Sequence, residues 1–206
     1  MIPRRHTSKK PSKKKWADHY THKARQEGYP ARSAYKLQAL DNKFNLMRPG
    51  HTVLDLGCAP GAWLLYVAKQ VTSSGQVWGI DLKPVTITLP NHVTVVEADI
   101  FKLDAHFWAE VSRPFDLILS DMAPATTGSK NTDAARSVAL CEAALFLARE
   151  RLIKGGSAAF KIFQGAGCNS FRDTMREMFA KLDLFKPPGS RKASKEMYLV
   201  GRGLTV

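Results

Sequence analysis

The sequence predicts a doubly wound α/β fold with a seven-stranded, mostly parallel sheet that ends in an antiparallel C-terminal hairpin. Short apolar runs alternate with helical patterns over residues 52–163, as expected for strands joined by crossover helices. A glycine-containing turn follows the first strand, where such sheets bind ligands. The last two strands are joined by too few residues for a crossover helix, so we expect them to pair antiparallel.

The N-terminal region is predicted to be a basic arm over residues 1–16, followed by a single domain over residues 17–206. The arm contains seven lysines and arginines and no acidic residue. Such a segment cannot bury apolar surface, so we expect it to be disordered when free and to neutralise phosphates. A solubilising tail is the alternative interpretation. A polar helix over residues 17–28 and an apolar-faced helix starting at Ser33 follow the arm.

The remaining elements alternate along the chain. Helices are predicted at 62–71, near 103–111, at 132–152 and near 169–181. Strands are predicted at 52–56, 76–81, 92–96, 115–120, 157–163, 184–186 and 196–200. A parallel sheet that ends in an antiparallel hairpin is the layout of Rossmann-like methyltransferases.

The turn after the first strand predicts the chemistry of a ligand site. Asp55 precedes Gly57, Pro60 and Gly61, without the G-x-G-x-x-G spacing of a pyrophosphate site. Pro60 has no amide hydrogen to donate, and the Asp55 carboxylate would repel phosphate and attract a cation. The turn therefore suits S-adenosyl-L-methionine, with Trp63 packing against it. A tight connection without a ligand, with Trp63 anchoring the core, is the alternative.

Two further acids follow the next strands. Asp81 ends the second strand, where a carboxylate accepts ribose hydroxyls. Asp99 follows the third strand and is predicted to reach the adenine edge while Ile100 packs on the ring. Each acid alone would more often be a surface aspartate, but three acids at successive strand ends indicate one site.

Composition limits the partners and the compartment. The formal net charge of +13 favours a polyanion such as nucleic acid, with an anionic membrane surface as the weaker alternative. We expect no membrane span, because no apolar run reaches ~18 residues. The three cysteines are widely spaced, so we expect no disulfide framework and no metal site. These features predict a cytoplasmic protein, and they leave the oligomeric state open.

Four charged residues stand in distinctive contexts. Lys161 interrupts an apolar strand, where lysine is rare unless it is paired; an outward-facing lysine at the strand edge is the alternative. Asp121 lies in Ser120-Asp121-Met122-Ala123-Pro124, Lys36 follows Tyr35, and Glu196 opens the last strand. Together these residues resemble the lysine–aspartate–lysine–glutamate tetrad of the FtsJ/RlmE family of ribose 2′-O-methyltransferases, and the resemblance runs from about Trp16 to Gly201.

The resemblance implies a function and a role for each member of the tetrad. It implies that Lys161 takes the proton of a ribose 2′-hydroxyl while Lys36, Asp121 and Glu196 orient it, and that Asp121 also borders the methyl donor. It implies ribosomal RNA of the large ribosomal subunit as the partner, specifically a uridine of the 23S A loop. Transfer RNA or an mRNA cap as the substrate, a small-molecule methyltransferase, and a non-catalytic RNA-binding ribosome-assembly factor remain alternatives. The loop Thr126–Asn131 matches no pattern of the family.

Overall fold

The computed structural model describes residues 13–103, 105–188 and 194–206. Within these ranges it contains seven strands, which are β1 (Thr52–Leu56), β2 (Gln76–Asp81), β3 (Val93–Glu97), β4 (Phe115–Ser120), β5 (Leu152–Phe163), β6 (Phe179–Phe185) and β7 (Glu196–Leu204). The helices are α1 (Lys13–Gln26), α2 (Ala34–Phe44), α3 (Ala62–Val71), α4 (Ala105–Glu110), α5 (Lys130–Arg151) and α6 (Cys168–Met178), with a 3-10 turn at Ile100–Lys102.

The strands form one sheet in the order β3-β2-β1-β4-β5-β7-β6. Strands β1 to β5 pair in parallel, whereas β7 pairs antiparallel with both β5 and β6. The predicted fold class, a mostly parallel sheet with an antiparallel C-terminal hairpin, is confirmed. The chain reverses its direction of travel across the sheet between β1 and β4, which is where doubly wound sheets bind ligands.

Both faces of the sheet are covered by apolar helix faces. Strand β1 is buried along its whole length, as expected for the centre of a parallel sheet. On one face Leu37 and Leu40 of α2 and Val67 of α3 are fully buried. On the other face α5 and α6 bury Ala144 and Met175. These helices hold the carboxyl ends of the strands in fixed positions.

Several element boundaries differ from the sequence prediction, and three of them are informative. Helix α1 begins at Lys13, so residues 13–16 of the predicted arm belong to it, and residues 1–12 lie outside the described residues. Strand β5 begins at Leu152, before its predicted start. Helix α6 ends at Met178 because Phe179 pairs with Leu204 and its ring occupies the space that a side chain at Gly201 would fill. Long-range pairing thus overrides the local helical pattern at this point.

Each of the described helices is too short or too polar to cross a membrane.

Candidate active site

A cavity of about 340 Å³ lies at the carboxyl ends of β1, β2 and β4. Its floor includes Gly57, whose backbone has φ +77°. A Cβ atom on Gly57 would lie 2.7 Å from Cγ and 3.1 Å from Cα of Met122. Glycine is therefore required here both by backbone conformation and by the close approach of the two loops.

Acidic and apolar side chains form the cavity walls. Asp81 accepts hydrogen bonds from the backbone amides of Ala59 and Lys83, each at 2.9 Å, and Asp99 accepts one from Phe101 at 3.1 Å. The apolar wall consists of Ile80, Leu82, Ile100, Phe101 and Met122. Among the described residues that line the cavity, Lys83 is the one with a basic side chain. This lining suits a ligand that has hydroxyl groups, an aromatic ring and positive charge, and it suits a phosphate poorly.

The residues expected to bind the donor divide into two groups. Gly57, Asp81, Asp99, Ile100 and Asp121 line the cavity. Pro60, Gly61, Trp63 and Asp55 are not part of this lining.

Gly61 and Trp63 pack against other parts of the chain. The space beside Gly61 is filled by Val85 and Ile87, and a Cβ there would lie 2.7 Å from Cδ1 of Ile87. Trp63 is 2% exposed, and its Nε1 donates to the Ser33 carbonyl at 2.9 Å. This geometry agrees with the alternative in which Trp63 anchors the core. Pro60 is exposed on the turn.

Asp55 lies inside β1 and is fully buried. Neither of its carboxyl oxygens has a hydrogen-bond partner within the described part of the chain. Burial, and then the charges of Asp121 and Asp81, raises the pKa of Asp55 well above its ordinary value. Burial thus favours the neutral form of Asp55. Its side chain lies within the strand and not in the cavity lining, where the sequence predicts a carboxylate that attracts a cation.

Four charged side chains from distant parts of the chain converge beside the cavity. Lys161 of β5 is 7% exposed and lies 3.0 Å from Oδ1 of Asp121, which follows β4. Its Nζ also donates to the Asp121 backbone carbonyl. Lys36 of α2 forms an ion pair with Glu196, the first residue of β7. We call Lys36, Asp121, Lys161 and Glu196 the tetrad.

The pairing of β5 with β7 positions two members of the tetrad. Lys161 lies opposite Tyr198 and Phe163 lies opposite Glu196 in the antiparallel register. Because side chains two residues apart share a face of a strand, Glu196 and Tyr198 point to the same side as Lys161. Asp121 borders both the tetrad and the donor cavity. The site therefore has a lysine amine close to the place where a methyl donor would lie.

Tyr198 was not singled out from the sequence. Its side chain is fully buried, and its hydroxyl donates to Asp121 Oδ1 at 2.7 Å and lies 3.3 Å from Glu196 Oε1. Burial, and then the nearby charges of Asp121 and Glu196, raises the pKa of Tyr198 well above its ordinary value, so the hydroxyl keeps its proton. Its position two residues after Glu196 in one strand was the signal available in the sequence.

Leu82 and Phe101 were also missed as wall residues. They are 69% and 62% exposed, which is unusual for large apolar side chains next to a cavity. Each follows closely on an acid expected at the site, Asp81 or Asp99, and this spacing was the available signal.

The loop after β4 is held by one carboxylate. Asp133 Oδ1 accepts from the amide of Thr127 at 2.8 Å and from its hydroxyl at 2.9 Å. The amide hydrogen bond from Thr127 is the main cause that lowers the pKa of Asp133. This loop begins directly after Asp121 of β4.

Two further observations concern charge and metal binding. Among the basic residues before β7, Lys186 donates to the carbonyl of Ser194 at 2.8 Å, whereas Arg191 and Lys192 lie outside the described residues. In the ranges that the structure covers, no group of three or more His, Cys, Asp or Glu side chains is arranged to hold a metal ion.

Comparison with known proteins identifies relatives of the whole domain. The chain matches the FtsJ-like methyltransferase family over residues 29–204. It is 50% identical over 194 residues to the ribosomal RNA large subunit methyltransferase E of Desulforapulum autotrophicum, covering 94% of this chain and 96% of that protein. It is 48% identical over 194 residues to the protein of the same name from Desulfatibacillum aliphaticivorans, covering 94% of each chain.

A solved structure supports the same assignment. A crystal structure from Plasmodium falciparum, described as a ribosomal RNA methyltransferase, superposes with a TM-score of 0.75 at 27% identity and covers 85% of this chain and 98% of that one. The resemblance seen in the sequence is thus confirmed by the family match, by close relatives and by the fold. The chain belongs to the FtsJ-like methyltransferase family.

Proposed function

We propose that this protein transfers a methyl group from S-adenosyl-L-methionine to a ribose 2′-hydroxyl of ribosomal RNA, at a uridine of the 23S A loop in the large ribosomal subunit. The observation that carries the proposal is the convergence of the tetrad beside a cavity whose lining is mainly acidic and apolar. The names of the relatives from Desulforapulum autotrophicum and Desulfatibacillum aliphaticivorans, which specify ribosomal RNA of the large subunit, support the substrate class.

The cavity fits the proposed donor. Asp81 would accept the ribose hydroxyls, Asp99 would face the adenine edge, and Ile100 would pack on the ring. The glycine backbone at Gly57 leaves room that a side chain would fill. When bound, S-adenosyl-L-methionine supplies a methyl group on a sulfonium, which is a strong electrophile, so alignment of the acceptor oxygen provides much of the acceleration.

Lys161 is the proposed base. As the 2′-oxygen forms its bond to the methyl carbon and the bond from carbon to sulfur breaks, the Lys161 amine accepts the hydroxyl proton and later releases it to solvent. The ammonium must first lose its own proton. Lys161 is paired with Asp121, and Lys36 is paired with Glu196. The alternative is a charged Lys161 that steers the hydroxyl while deprotonation occurs late.

The decisive test compares Lys161→Ala with a matched lysine variant on the same strand. Lys154 also lies in β5 but is exposed, so Lys154→Ala controls for the loss of a β5 lysine. We expect methyl transfer from radiolabelled donor to unmethylated large subunits to fall by about 10²- to 10⁴-fold in Lys161→Ala. Donor affinity, measured by calorimetry, should barely change in either variant. Unchanged turnover in Lys161→Ala would remove Lys161 from the mechanism.

The substrate is tested separately from the chemistry. We expect labelled methyl groups on large subunits, with mass spectrometry mapping them to one A-loop uridine. Transfer RNA and capped mRNA should remain unlabelled in the same assay. Labelling of either one in place of the subunit would reassign the substrate. Tight binding of subunits without any transfer would favour the ribosome-assembly factor.

The basic arm is proposed to add phosphate contacts. Deleting residues 1–12, which spares α1, removes Arg4, Arg5, Lys9 and Lys10. Each lost phosphate contact should flatten the plot of log affinity against log salt by about 0.7 to 0.9. We therefore expect weaker RNA binding and a slope reduced by up to about 3. A slope equal to that of the full chain would make the arm a solubilising tail.

A further inference from the structure

Tyr198 connects the two ion pairs of the tetrad. Its hydroxyl donates to Oδ1 of Asp121, and Lys161 contacts this same oxygen. The hydroxyl also lies 3.3 Å from Oε1 of Glu196, and Lys36 is paired with that same oxygen. One oxygen of each carboxylate thus contacts both a lysine amine and the Tyr198 hydroxyl. The four charged side chains and the phenol therefore form one continuous network of hydrogen bonds and ion pairs.

We propose that Tyr198 is a positioning residue for methyl transfer: its hydroxyl holds Asp121 and Glu196 in place and weakens the hold of Asp121 on the proton of Lys161. This inference rests on the proposed function, because it assigns a role to a residue behind the proposed base. Tyr198 is fully buried, so its hydroxyl acts through the two acids and does not contact the RNA.

The direction of the effect follows from hydrogen bonding. A carboxylate oxygen that accepts from a phenol carries less negative charge, so it stabilises a neighbouring ammonium less. The neutral amine of Lys161 is then available at lower pH. Without the hydroxyl, Asp121 would stabilise the ammonium more strongly, and loss of the proton would require higher pH.

The other charged and titratable groups around Lys161 are distributed over every neighbouring element. Asp121, at the end of β4, contacts Lys161 directly, and Tyr198 links Asp121 to Glu196 of β7, which pairs with Lys36 of α2. Asp55 of β1 interacts electrostatically with Asp121, and the Cys141 thiol of α5 donates to the Lys161 carbonyl at 3.1 Å. The Tyr198 hydroxyl lies within hydrogen-bond distance of both Asp121 and Glu196.

Packing keeps the tyrosine hydroxyl in a fixed position. Tyr198 lies opposite Lys161 in the β5–β7 register, and its ring centroid lies 6.0 Å from that of Trp63. Trp63 in turn donates to the carbonyl of Ser33, the residue that precedes α2. Because α2 carries Lys36, the same packed unit supports both lysines of the tetrad.

The test measures kcat of the full-length Tyr198→Phe variant as a function of pH, with large ribosomal subunits as the substrate. The acidic limb of the profile should move up by about one pH unit, so kcat on that limb should fall about tenfold. At pH values above the limb, kcat should return to within about twofold of the natural protein, since one hydrogen bond is lost and the base is intact. Donor affinity should stay unchanged.

Tyr66→Phe is the matched control. Tyr66 is also a buried tyrosine that donates to a buried aspartate, Asp41 at 3.1 Å, but it lies outside the tetrad. Loss of the Tyr66 hydroxyl should lower the melting temperature without moving the acidic limb of the kcat profile.

A second variant should shift the acidic limb in the opposite direction. Incorporation of 3-fluorotyrosine at position 198 keeps the ring and the hydroxyl but makes the hydroxyl a stronger donor, so the acidic limb should move to lower pH. This variant also decides the matter if Tyr198→Phe does not fold.

The outcomes separate the two proposals. Absence of transfer by the natural protein would overturn the proposed function itself. A natural protein that transfers methyl groups, together with a limb that stays in place in both Tyr198 variants, would overturn the role of Tyr198 alone. A uniform loss of kcat at every pH would show that the hydroxyl is merely structural.

Discussion

Gly57 provides a sharp test of how the cavity floor supports the site. Its backbone has φ +77°, and Gly155 in β5 has φ +83°. A Cβ on Gly57 would lie 2.7 Å from Cγ of Met122 and 3.1 Å from its backbone N and Cα, whereas nothing lies within 4 Å of a Cβ on Gly155. The two glycines therefore share the backbone strain of an alanine substitution and differ in steric clash.

These contacts determine how much each substitution should lower the free energy of unfolding. An L-residue in the left-handed region costs about 1–2 kcal/mol, so Gly155→Ala should destabilise the protein by about that amount. Gly57→Ala adds overpacking of about 1–3 kcal/mol, because the backbone of Met122 cannot rotate away as a side chain end would. At about 2–4 °C per kcal/mol for a chain of this size, Gly57→Ala should melt several degrees below Gly155→Ala.

Gly57→Ala should also impair activity, since Met122 is bonded directly to Asp121 of the tetrad. We expect lower donor affinity and lower kcat in Gly57→Ala, with both unchanged in Gly155→Ala. Thermal unfolding by circular dichroism, calorimetry with the donor and transfer to large subunits provide the three measurements. Equal melting temperatures and equal activities in the two variants would refute the packing argument.

Two further predictions concern buried titratable groups. Burial raises the pKa of Cys141 to about 12 and also raises the pKa of Cys58 and Cys168. The native thiols should therefore react slowly with an aromatic disulfide reagent at pH 8, and all three should react in denaturant; fast native labelling would contradict their burial. Because the pKa of Asp55 is raised from its ordinary 3.8, the folded state keeps a proton that the unfolded state releases, and stability falls as pH rises above that value. Asp55→Asn should therefore gain in free energy of unfolding, relative to the natural protein, as the pH rises above about 4 in urea titrations, and a constant difference would contradict this assignment.

Local patterns determined the fold class and most element positions. The apolar runs at 76–81 and 115–120 coincide with β2 and β4, and the pattern at 62–71 coincides with α3. Such runs are readable because a strand or helix must bury a face whose spacing repeats along the chain. The short connection before β7 likewise forced an antiparallel hairpin. The contexts of Lys36, Asp121, Lys161 and Glu196 sufficed to indicate the family.

Tertiary structure decided which side chains meet. Asp55 and Trp63 belong to the same motif as Gly57, yet both are buried away from the cavity that Gly57 lines. The side-chain direction in a strand alternates with each residue, so proximity in sequence to a site does not place a residue in it. Conversely, Leu82 and Phe101 carry no chemical signature and still form the cavity wall.

The placement of β7 between β5 and β6 shows most clearly what the sequence determines and what only the tertiary structure determines. The sequence by itself determined that an antiparallel strand closes the sheet, because the chain between the last two strands is too short for a crossover. Only the folded chain decided that this strand pairs with β5 in a register that sets Tyr198 opposite Lys161. Register depends on contacts between residues distant in the chain, and a shift by one residue would turn the Tyr198 hydroxyl to the other face of the sheet.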